Sequence, residues 1–397
     1  MIGTQGSART RLVLGAAVAS LALMASACSN TSQPTDVSDV AASPSAGGDA
    51  YVAEMQKLID SHRGKPEWKD PGPVLDASKL AGKTIAVVAI DLRVPALAEI
   101  VQYVKEAAGK AGMKVTVFDA KSTASLMQQG MQQAINNGAD AIISDGLVIQ
   151  LIANQIKAAK DKGIPTIDVI NTPPKEGVPG QGSDPNVFGN MAPDSVLAGQ
   201  LVAATAIVQA DGKANVGIIN TSELTVAPTE IGAMKETLAK CSACKVVDEQ
   251  DVALSDWSTK IQGTTATMVR SHPDMNFVLT LYDAMGLFAT PGVQQAGGAG
   301  KVRVASVDGT AAALALVKKG DIFVSDTAKD TAWAAWGAVD QAMRGMLEMQ
   351  PANPVLPLRY IDTSDLKDVD TTSTETVSAA LFGNDFRTGY LKLWGLG

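Results

Sequence analysis

The stretch at residues 83–120 constrains the fold of this chain more than any other. Its apolar run Ile85–Ile90 has the length and β-branched content of a strand that is buried on both faces. A polar loop and Pro95 follow, and apolar residues then recur at helical spacing over about four turns. Gly112 is expected to end that helix in the left-handed conformation, and Lys114–Phe118 begins a second strand. The stretch therefore predicts a βαβ unit, and in open sheets of this kind ligands bind beyond the carboxyl ends of the strands.

The strand-and-helix pattern recurs in two series, which predicts two α/β lobes of the same design. Strand-like runs begin near Thr84, Lys114, Ala141 and Pro165 in the first series and near Ala214, Lys245, Phe277 and Val302 in the second. We expect lobe 1 at residues 82–190 and 328–350, lobe 2 at 191–327 and 351–365, and a docking tail at 366–397, with crossovers near Met191, Thr327 and Pro354. The Pro-rich segment 351–360 is expected to be a return of the chain.

The N-terminus has the pattern of an export signal. Arg9 and Arg11 precede an apolar stretch, Leu12–Met24, that is too short to span a membrane as a mature helix. The small residues that follow, ending at Cys28, resemble a bacterial lipobox. The resemblance predicts a signal peptide at 1–28, a lipidated Cys28 and attachment to the outer face of the cell membrane. The alternative is an ordinary secretory signal with a chance cysteine.

The next segment has almost nothing to bury. Residues 29–50 are mostly Ser, Ala, Pro, Gly and Asp, and they are expected to be a disordered tether. An N-terminal lead-in at 51–81 follows, with a short helix at Tyr51–Ser61 and with Trp68 packed on the domain edge.

The remaining cysteines form a C-x-x-C pair, Cys241 and Cys244. In an exported protein a disulfide persists, and a zinc site would need two more ligands. The two histidines, His62 and His272, lie far apart in the sequence. A local disulfide is therefore predicted, with free thiols and with redox or metal chemistry as the alternatives.

Charge and motifs exclude several classes of function. Of 397 residues 46% are hydrophobic, enough for a large core, and the net charge of −8 argues against a nucleic-acid partner, since phosphates need a basic face. Gly82-Lys83-Thr84 mimics the end of a P-loop, but Ala77 stands where the first glycine belongs. No G-x-S-x-G or H-E-x-x-H motif occurs, and His272 fits a solvated turn at a helix end. We expect no enzyme activity, no cofactor and no metal.

Several local motifs resemble one family of receptors. They are the D-L-x-x-P turn in Thr84–Ala98, AIISDG at Ala141–Gly146, the pair Asp256-Trp257, YDAMGLFA at Tyr282–Ala289 and SVDGT at Ser306–Thr310. Together with the export signal they make residues 84–363 similar to the type I, ribose-binding-like sugar receptors of ABC importers. The resemblance implies an α/β fold of two Rossmann-like lobes with parallel sheets and a three-crossover hinge. Sugar-responsive repressors share this fold, but they begin with a helix-turn-helix.

The resemblance also implies a ligand site between the lobes. The candidate ligand-binding residues are Asp91, Arg93, Asp145, Asn171, Glu223, Trp257, Tyr282, Asp283 and Asp308. Charged side chains bind sugar hydroxyls strongly, and an aromatic face covers the C–H surface of a sugar. The alternatives are plain packing for Trp257, capping or turn roles for Asp283 and Asp308, and solvated rim charges for Arg93 and Glu223.

Other positions depart from the family pattern. An asparagine and two aromatic residues of the first turn are replaced by Val94, Ala96 and Leu97, and the usual Asp-Arg pair is replaced by Ile170 and Asn171. The resemblance thus implies a monomeric substrate-binding lipoprotein that delivers a small sugar or polyol to an ABC permease and its ATPase. A receptor for a less polar hydroxylated metabolite, a lipid-anchored sensor, and an enzyme on the same scaffold are the alternatives.

Overall fold

The computed structural model describes residues 45–172, 184–352 and 354–397. The predicted signal peptide, Cys28 and most of the predicted tether lie outside the described residues. The first helix, α1, spans Ser45–Ser61, so it begins earlier than the predicted start at Tyr51 and includes the last residues of that tether. No helix in these described ranges combines the length and apolarity that crossing a bilayer requires.

Lobe 1 is built on a five-stranded sheet in the order β2-β1-β3-β4-β5, in which all neighbours are parallel. Its elements are β1 (Thr84–Ala89), α2 (Pro95–Lys110), β2 (Lys114–Asp119), α3 (Ala124–Asn136), β3 (Ala141–Asp145), α4 (Ile149–Asp161), β4 (Thr166–Val169) and β5 (Gly189–Met191). The predicted βαβ unit is therefore present. Gly112 follows α2 with φ 68°, the left-handed conformation that a glycine adopts without a steric cost.

Lobe 2 is built on a six-stranded sheet in the order β11-β10-β9-β8-β6-β7. Its elements are α5 (Ser195–Gln209), β6 (Asn215–Asn220), α6 (Ala227–Ala239), β7 (Lys245–Asp251), α7 (Trp257–Ser271), β8 (Phe277–Thr280), α8 (Asp283–Gln295), β9 (Arg303–Asp308), α9 (Ala311–Lys319), β10 (Phe323–Lys329) and β11 (Leu358–Asp362). The sheet is parallel except that β11 runs antiparallel to β10. The predicted Pro-rich return therefore ends in a strand that pairs with the sheet edge, and this strand was not predicted.

Three chain crossovers connect the lobes, as predicted. The first leads from β5 to α5, the second from β10 to α10 (Thr331–Met346), and the third from α10 to β11. The first and third touch, since the Leu356 amide donates to the Ala192 carbonyl at 3.0 Å. In the second, Asp330 caps α10 by accepting hydrogen bonds from the amides of Ala332 and Trp333. Because the first two connections leave the carboxyl ends of β5 and β10, the same ends of both sheets face the space between the lobes.

The C-terminal tail forms two helices, α11 (Thr374–Leu381) and α12 (Asp385–Leu393), and α12 packs on α10 in lobe 1. An aromatic cluster fills the contact. Its members are Trp68, Trp333, Trp336, Phe386, Tyr390 and Trp394. Trp68 contacts Trp333 and Tyr390 with ring centroids 5.9 and 4.6 Å apart, so it packs on the edge of lobe 1 as predicted. Helix α10 is consequently buried on almost every face.

A buried ion pair lies beneath this cluster. Asp340 and Arg344, one turn apart on α10, are fully buried, and the Arg344 Nε donates to Asp340 at 2.7 Å. The indole Nε1 of Trp394 donates to the same carboxylate at 3.0 Å. The pair therefore attaches the tail to lobe 1 through a charge that only internal groups solvate.

Lobe 2 also carries a packed N-terminal helix and a local disulfide. Helix α1 packs on α5, and the Tyr51 hydroxyl donates to the Thr237 carbonyl at 2.9 Å. Beyond the end of α6, Cys241 and Cys244 are joined by a disulfide.

Candidate ligand-binding cleft

A small cavity lies between the two lobes at the carboxyl ends of their strands. Residues of both lobes line it: Ile90, Val94, Ala96, Leu97, Gly146, Ile170 and Asn171 from lobe 1, and Leu224, Leu254, Trp257, Tyr282 and Asp308 from lobe 2. The space open to the centres of water molecules is about 40 Å³, which is room for a few waters. The lobes are thus close together in this structure, and a molecule in the cavity would contact both.

Two stacked aromatic rings form the lobe 2 wall. The ring centroids of Trp257 and Tyr282 are 5.8 Å apart with an interplanar angle of 28°. The Trp257 Nε1 donates to the Thr221 Oγ1 at 2.9 Å and to the Val252 carbonyl at 3.1 Å. Since its polar atom is already paired inside lobe 2, Trp257 offers the cavity only its ring surface.

Asp308 provides the charged end of the cavity. It follows the apolar part of β9, is 2% exposed, and its carboxylate pairs with the ammonium of Lys329 on β10. Burial raises the pKa of Asp308, and Lys329 opposes that rise. The next residue, Gly309, has φ 87°, and a Cβ there would lie 2.6 Å from the Cβ of Ala328. A glycine therefore lets β9 and β10 approach closely beside the charged pair.

A second layer of carboxyl groups lies behind Asp308 in lobe 2. Asp283 accepts hydrogen bonds from the amide and the hydroxyl of Thr310, each at 2.7 Å, and burial raises its pKa to about 6. Burial also raises the pKa of Glu230, on α6, to about 8, and it raises that of Asp326 well above the ordinary value. At neutral pH these conditions favour a protonated Glu230, so not all the carboxyl groups around Lys329 carry a negative charge.

The lobe 1 wall is apolar apart from one amide. Val94, Ala96 and Leu97 come from the start of α2, where the first turn packs against the cavity. Asn171 follows β4, and its Nδ2 donates to the Leu147 carbonyl at 2.8 Å and to the Asp168 Oδ1 at 2.9 Å. The side chain of Asn171 therefore has a fixed orientation and keeps its carbonyl oxygen as an acceptor.

Four of the nine sequence-predicted ligand residues line the cavity: Asn171, Trp257, Tyr282 and Asp308. Asp91 does not, because its buried carboxylate accepts hydrogen bonds from Arg93 at 2.6 and 2.9 Å and from Ser122 at 2.5 Å. The Arg93 side chain is 67% exposed and lies outside the lining. Glu223 is exposed, and it accepts a hydrogen bond from the Leu254 amide at 2.5 Å.

The other two predicted residues are buried behind the surface of the cleft. Asp145 ends β3 and is fully buried, and among the residues that the structure describes neither of its carboxylate oxygens has a hydrogen-bond partner. Burial raises its pKa well above the ordinary value. Asp283 is engaged by Thr310, as described above. Both carboxyl groups therefore lie outside the cavity lining.

Sequence reasoning missed part of the site. It did not single out Glu230 or Asp326, since an acid in the first turn of a helix or within a strand carries no local signature. It also did not single out the apolar wall residues Leu224 and Leu254. No set of three or more potential metal ligands is gathered within the described parts of the chain.

Two α/β lobes with a ligand cleft at their facing strand ends define the class of solute receptors. The sequence matches the family model for a periplasmic binding protein domain over residues 78–346. The chain therefore belongs to the periplasmic binding protein family, in its type I, sugar-binding group. The proteins of this family that the chain resembles are solute-binding transport proteins rather than enzymes.

Individual relatives are distant but cover most of the fold. The ribose import binding protein RbsB of Bacillus subtilis is 24% identical over 253 residues, 64% of this chain and 77% of that protein. The xylitol-binding protein of Mycolicibacterium smegmatis is 27% identical over 203 residues, 51% of this chain and 55% of that protein. The solved 5-methylthioribose transporter solute binding protein of Thermotoga lettingae superposes with a TM-score of 0.68 at 19% identity, covering 79% of this chain and 99% of that one.

Proposed function

We propose that this protein is the substrate-binding lipoprotein of an ABC importer. It captures a small sugar or polyol between its lobes and delivers it to a membrane permease, which a separate ATPase drives. The observation that carries the proposal is the cavity lined by both lobes, with aromatic rings and a carboxylate on one side. Sugar recognition elsewhere uses the same two elements, a ring face for C–H groups and charged acceptors for hydroxyls.

The two-sided lining suggests how binding is signalled to a permease. A ligand that contacts Asn171 on lobe 1 and Trp257 on lobe 2 has its full set of contacts only when the lobes are closed. Binding therefore shifts the population toward the closed form. Crossover segments such as the one at Asp330 are the places where the backbone would bend. The closed form presents both lobes in one arrangement that a permease can recognise.

The anchor and the ligand class are supported by sequence. The lipobox-like stretch ending at Cys28 favours a lipid anchor on the outer face of the membrane. Relatives are named for import or binding of ribose and of xylitol, a short sugar and a short polyol. A Cys28→Ser variant should leave the membrane fraction, and its retention there would contradict the anchor.

A thermal-shift titration of the full chain tests the ligand class. Ribose, xylitol and myo-inositol are added in steps, and a true ligand raises the melting temperature by an amount that grows with its concentration. Trp257→Ala should abolish the shift. Trp68→Ala is the matched control, because Trp68 packs on Trp333 and Tyr390 outside the cavity lining, so this variant should keep the shift. Absence of a shift with every carbohydrate would contradict the proposal.

A further inference from the structure

The cavity has few polar groups. Among the twelve lining residues, only Asn171, Trp257, Tyr282 and Asp308 carry polar side-chain atoms. The indole N–H of Trp257 and the amide N–H group of Asn171 already donate to groups inside their own lobes. The side chains thus offer a ligand one amide oxygen, one phenol and one carboxylate.

Apart from Asn171, lobe 1 contributes only an apolar surface to the cavity. A Cβ added at Gly146 would lie 3.2 Å from both the Ile90 Cγ2 and the Leu97 Cδ2, so these two side chains already pack closely over the backbone of that glycine. Val94 extends the same surface at the start of α2, where its side chain makes no capping hydrogen bond. Leu224 and Leu254 face this surface from lobe 2.

One residue of the apolar surface is held in a strained conformation. Ile170 has φ 60°, and among the described residues it is the one β-branched side chain with a positive φ. Left-handed backbone is costly for a β-branched residue, and strain of this kind concentrates at functional sites. The Ile170 amide donates to the Met191 carbonyl at 2.9 Å, so the sheet maintains the conformation. Glycine or asparagine would relieve the strain, yet the position presents an isoleucine to the cavity.

We propose that the ligand is a small hydroxylated molecule that carries an apolar substituent, with the substituent against Val94, Leu97 and Ile170. This inference rests on the proposed function and specifies its ligand. The hydroxyl groups of the ligand meet Asn171, Tyr282 and Asp308. A fully hydroxylated sugar would bury several hydroxyls against the lobe 1 surface without partners, and each unpaired group lowers affinity roughly tenfold or more.

Matched pairs of probes test the inference on the full chain by isothermal titration calorimetry. Each pair shares a skeleton and differs in one substituent: ribose and 5-methylthioribose, xylitol and 1-deoxyxylitol, myo-inositol and its monomethyl ether. In pairs where binding is measured, we expect the substituted member to bind about tenfold more tightly or better. Equal or tighter binding of the fully hydroxylated members refutes the apolar substituent but leaves the sugar-receptor function intact. No binding by any probe refutes both.

Two variants locate the substituent. Val94→Asn and Ile170→Asn each place an amide in the apolar surface. Asparagine is compatible with the backbone at both positions, since it caps helices, as at position 94, and tolerates a positive φ, as at position 170. Each should lower the preference for the substituted member of the pair at least fivefold. Val74→Asn changes a valine that is 69% exposed and far from the lining, and it should leave the preference unchanged. An unchanged preference in both cleft variants overturns the placement.

Discussion

Glu230 makes the stability of this protein depend on pH, and the Glu230→Gln variant tests this. The residue lies in the first turn of α6 and is 3% exposed, and one of its carboxyl oxygens has no hydrogen-bond partner among the residues that the structure describes. Burial raises its pKa from 4.5 to about 8, while Lys329 opposes the rise and Asp308 adds to it. Glutamine has the same shape but cannot ionise.

The magnitude follows from the linkage between protonation and folding. The pKa of the Glu230 carboxyl is higher in the folded state than in the unfolded state. Its contribution to stability is therefore fully present below the pKa of the unfolded state and is lost as the pH rises through the pKa of the folded state. Between about pH 5 and about pH 8 the carboxyl of Glu230 should lower the free energy of unfolding by about 3 kcal/mol. Other buried carboxyls with raised pKa values, such as Asp283, act in both proteins and largely cancel in the comparison.

Urea unfolding of wild type and variant at a series of pH values measures this difference. The two proteins should be similar near pH 5, and the variant should be the more stable by about 3 kcal/mol near pH 8. Glu236→Gln is the matched control, because Glu236 is an exposed glutamate on the same helix. Parallel stability curves for wild type and Glu230→Gln would refute the argument that Glu230 is buried and protonated.

Three further substitutions probe close packing and buried charge. Gly199→Ala should destabilise by about 2 kcal/mol in urea unfolding, because its Cβ would lie 2.3 Å from a backbone oxygen of α6, whereas Gly232→Ala, with free space around it, should be neutral or stabilising. Asp340→Asn leaves a buried arginine without its anion and should lower the free energy of unfolding by about 3–5 kcal/mol; a smaller loss would mean that water reaches the pair. Lys329→Met removes the cation beside Asp308, so calorimetry should show weaker ligand binding. The melting temperature of the variant should fall as the pH rises from acid to neutral, because the buried Asp308 then ionises without its cation. Unchanged ligand binding would exclude the pair from the site.

The sequence was sufficient for the layout of the chain because hydrophobic periodicity is a local property. The strand starts at Thr84, Lys114 and Ala141 and the left-handed Gly112 agree with the structure to the residue. Short motifs, such as SVDGT around Asp308, indicated the family, since each is a continuous stretch that can be read without the tertiary structure. The strand β11 was not predicted, because it is short and its sequence carries little strand signal of its own. It becomes a strand by pairing with β10, which lies on the other side of helix α10 in the sequence.

The composition of the cleft was decided by tertiary structure. Asn171, Trp257, Tyr282 and Asp308 were predictable because each follows a strand or turn whose end faces the cleft. Whether a carboxylate at such an end faces a ligand or an internal partner depends on how side chains near and far in sequence are placed around it. Asp91 faces Arg93 and Ser122 instead of the cavity.

The sequence alone thus determined the two-lobed α/β architecture, the family and the positions of the strand ends, because these depend on local pattern. The tertiary structure alone decided which side chains share the cavity and which carboxyls are protonated. Both depend on burial and on which residues of different lobes line the same cavity, such as Ile170 and Leu254, and a linear pattern does not record this.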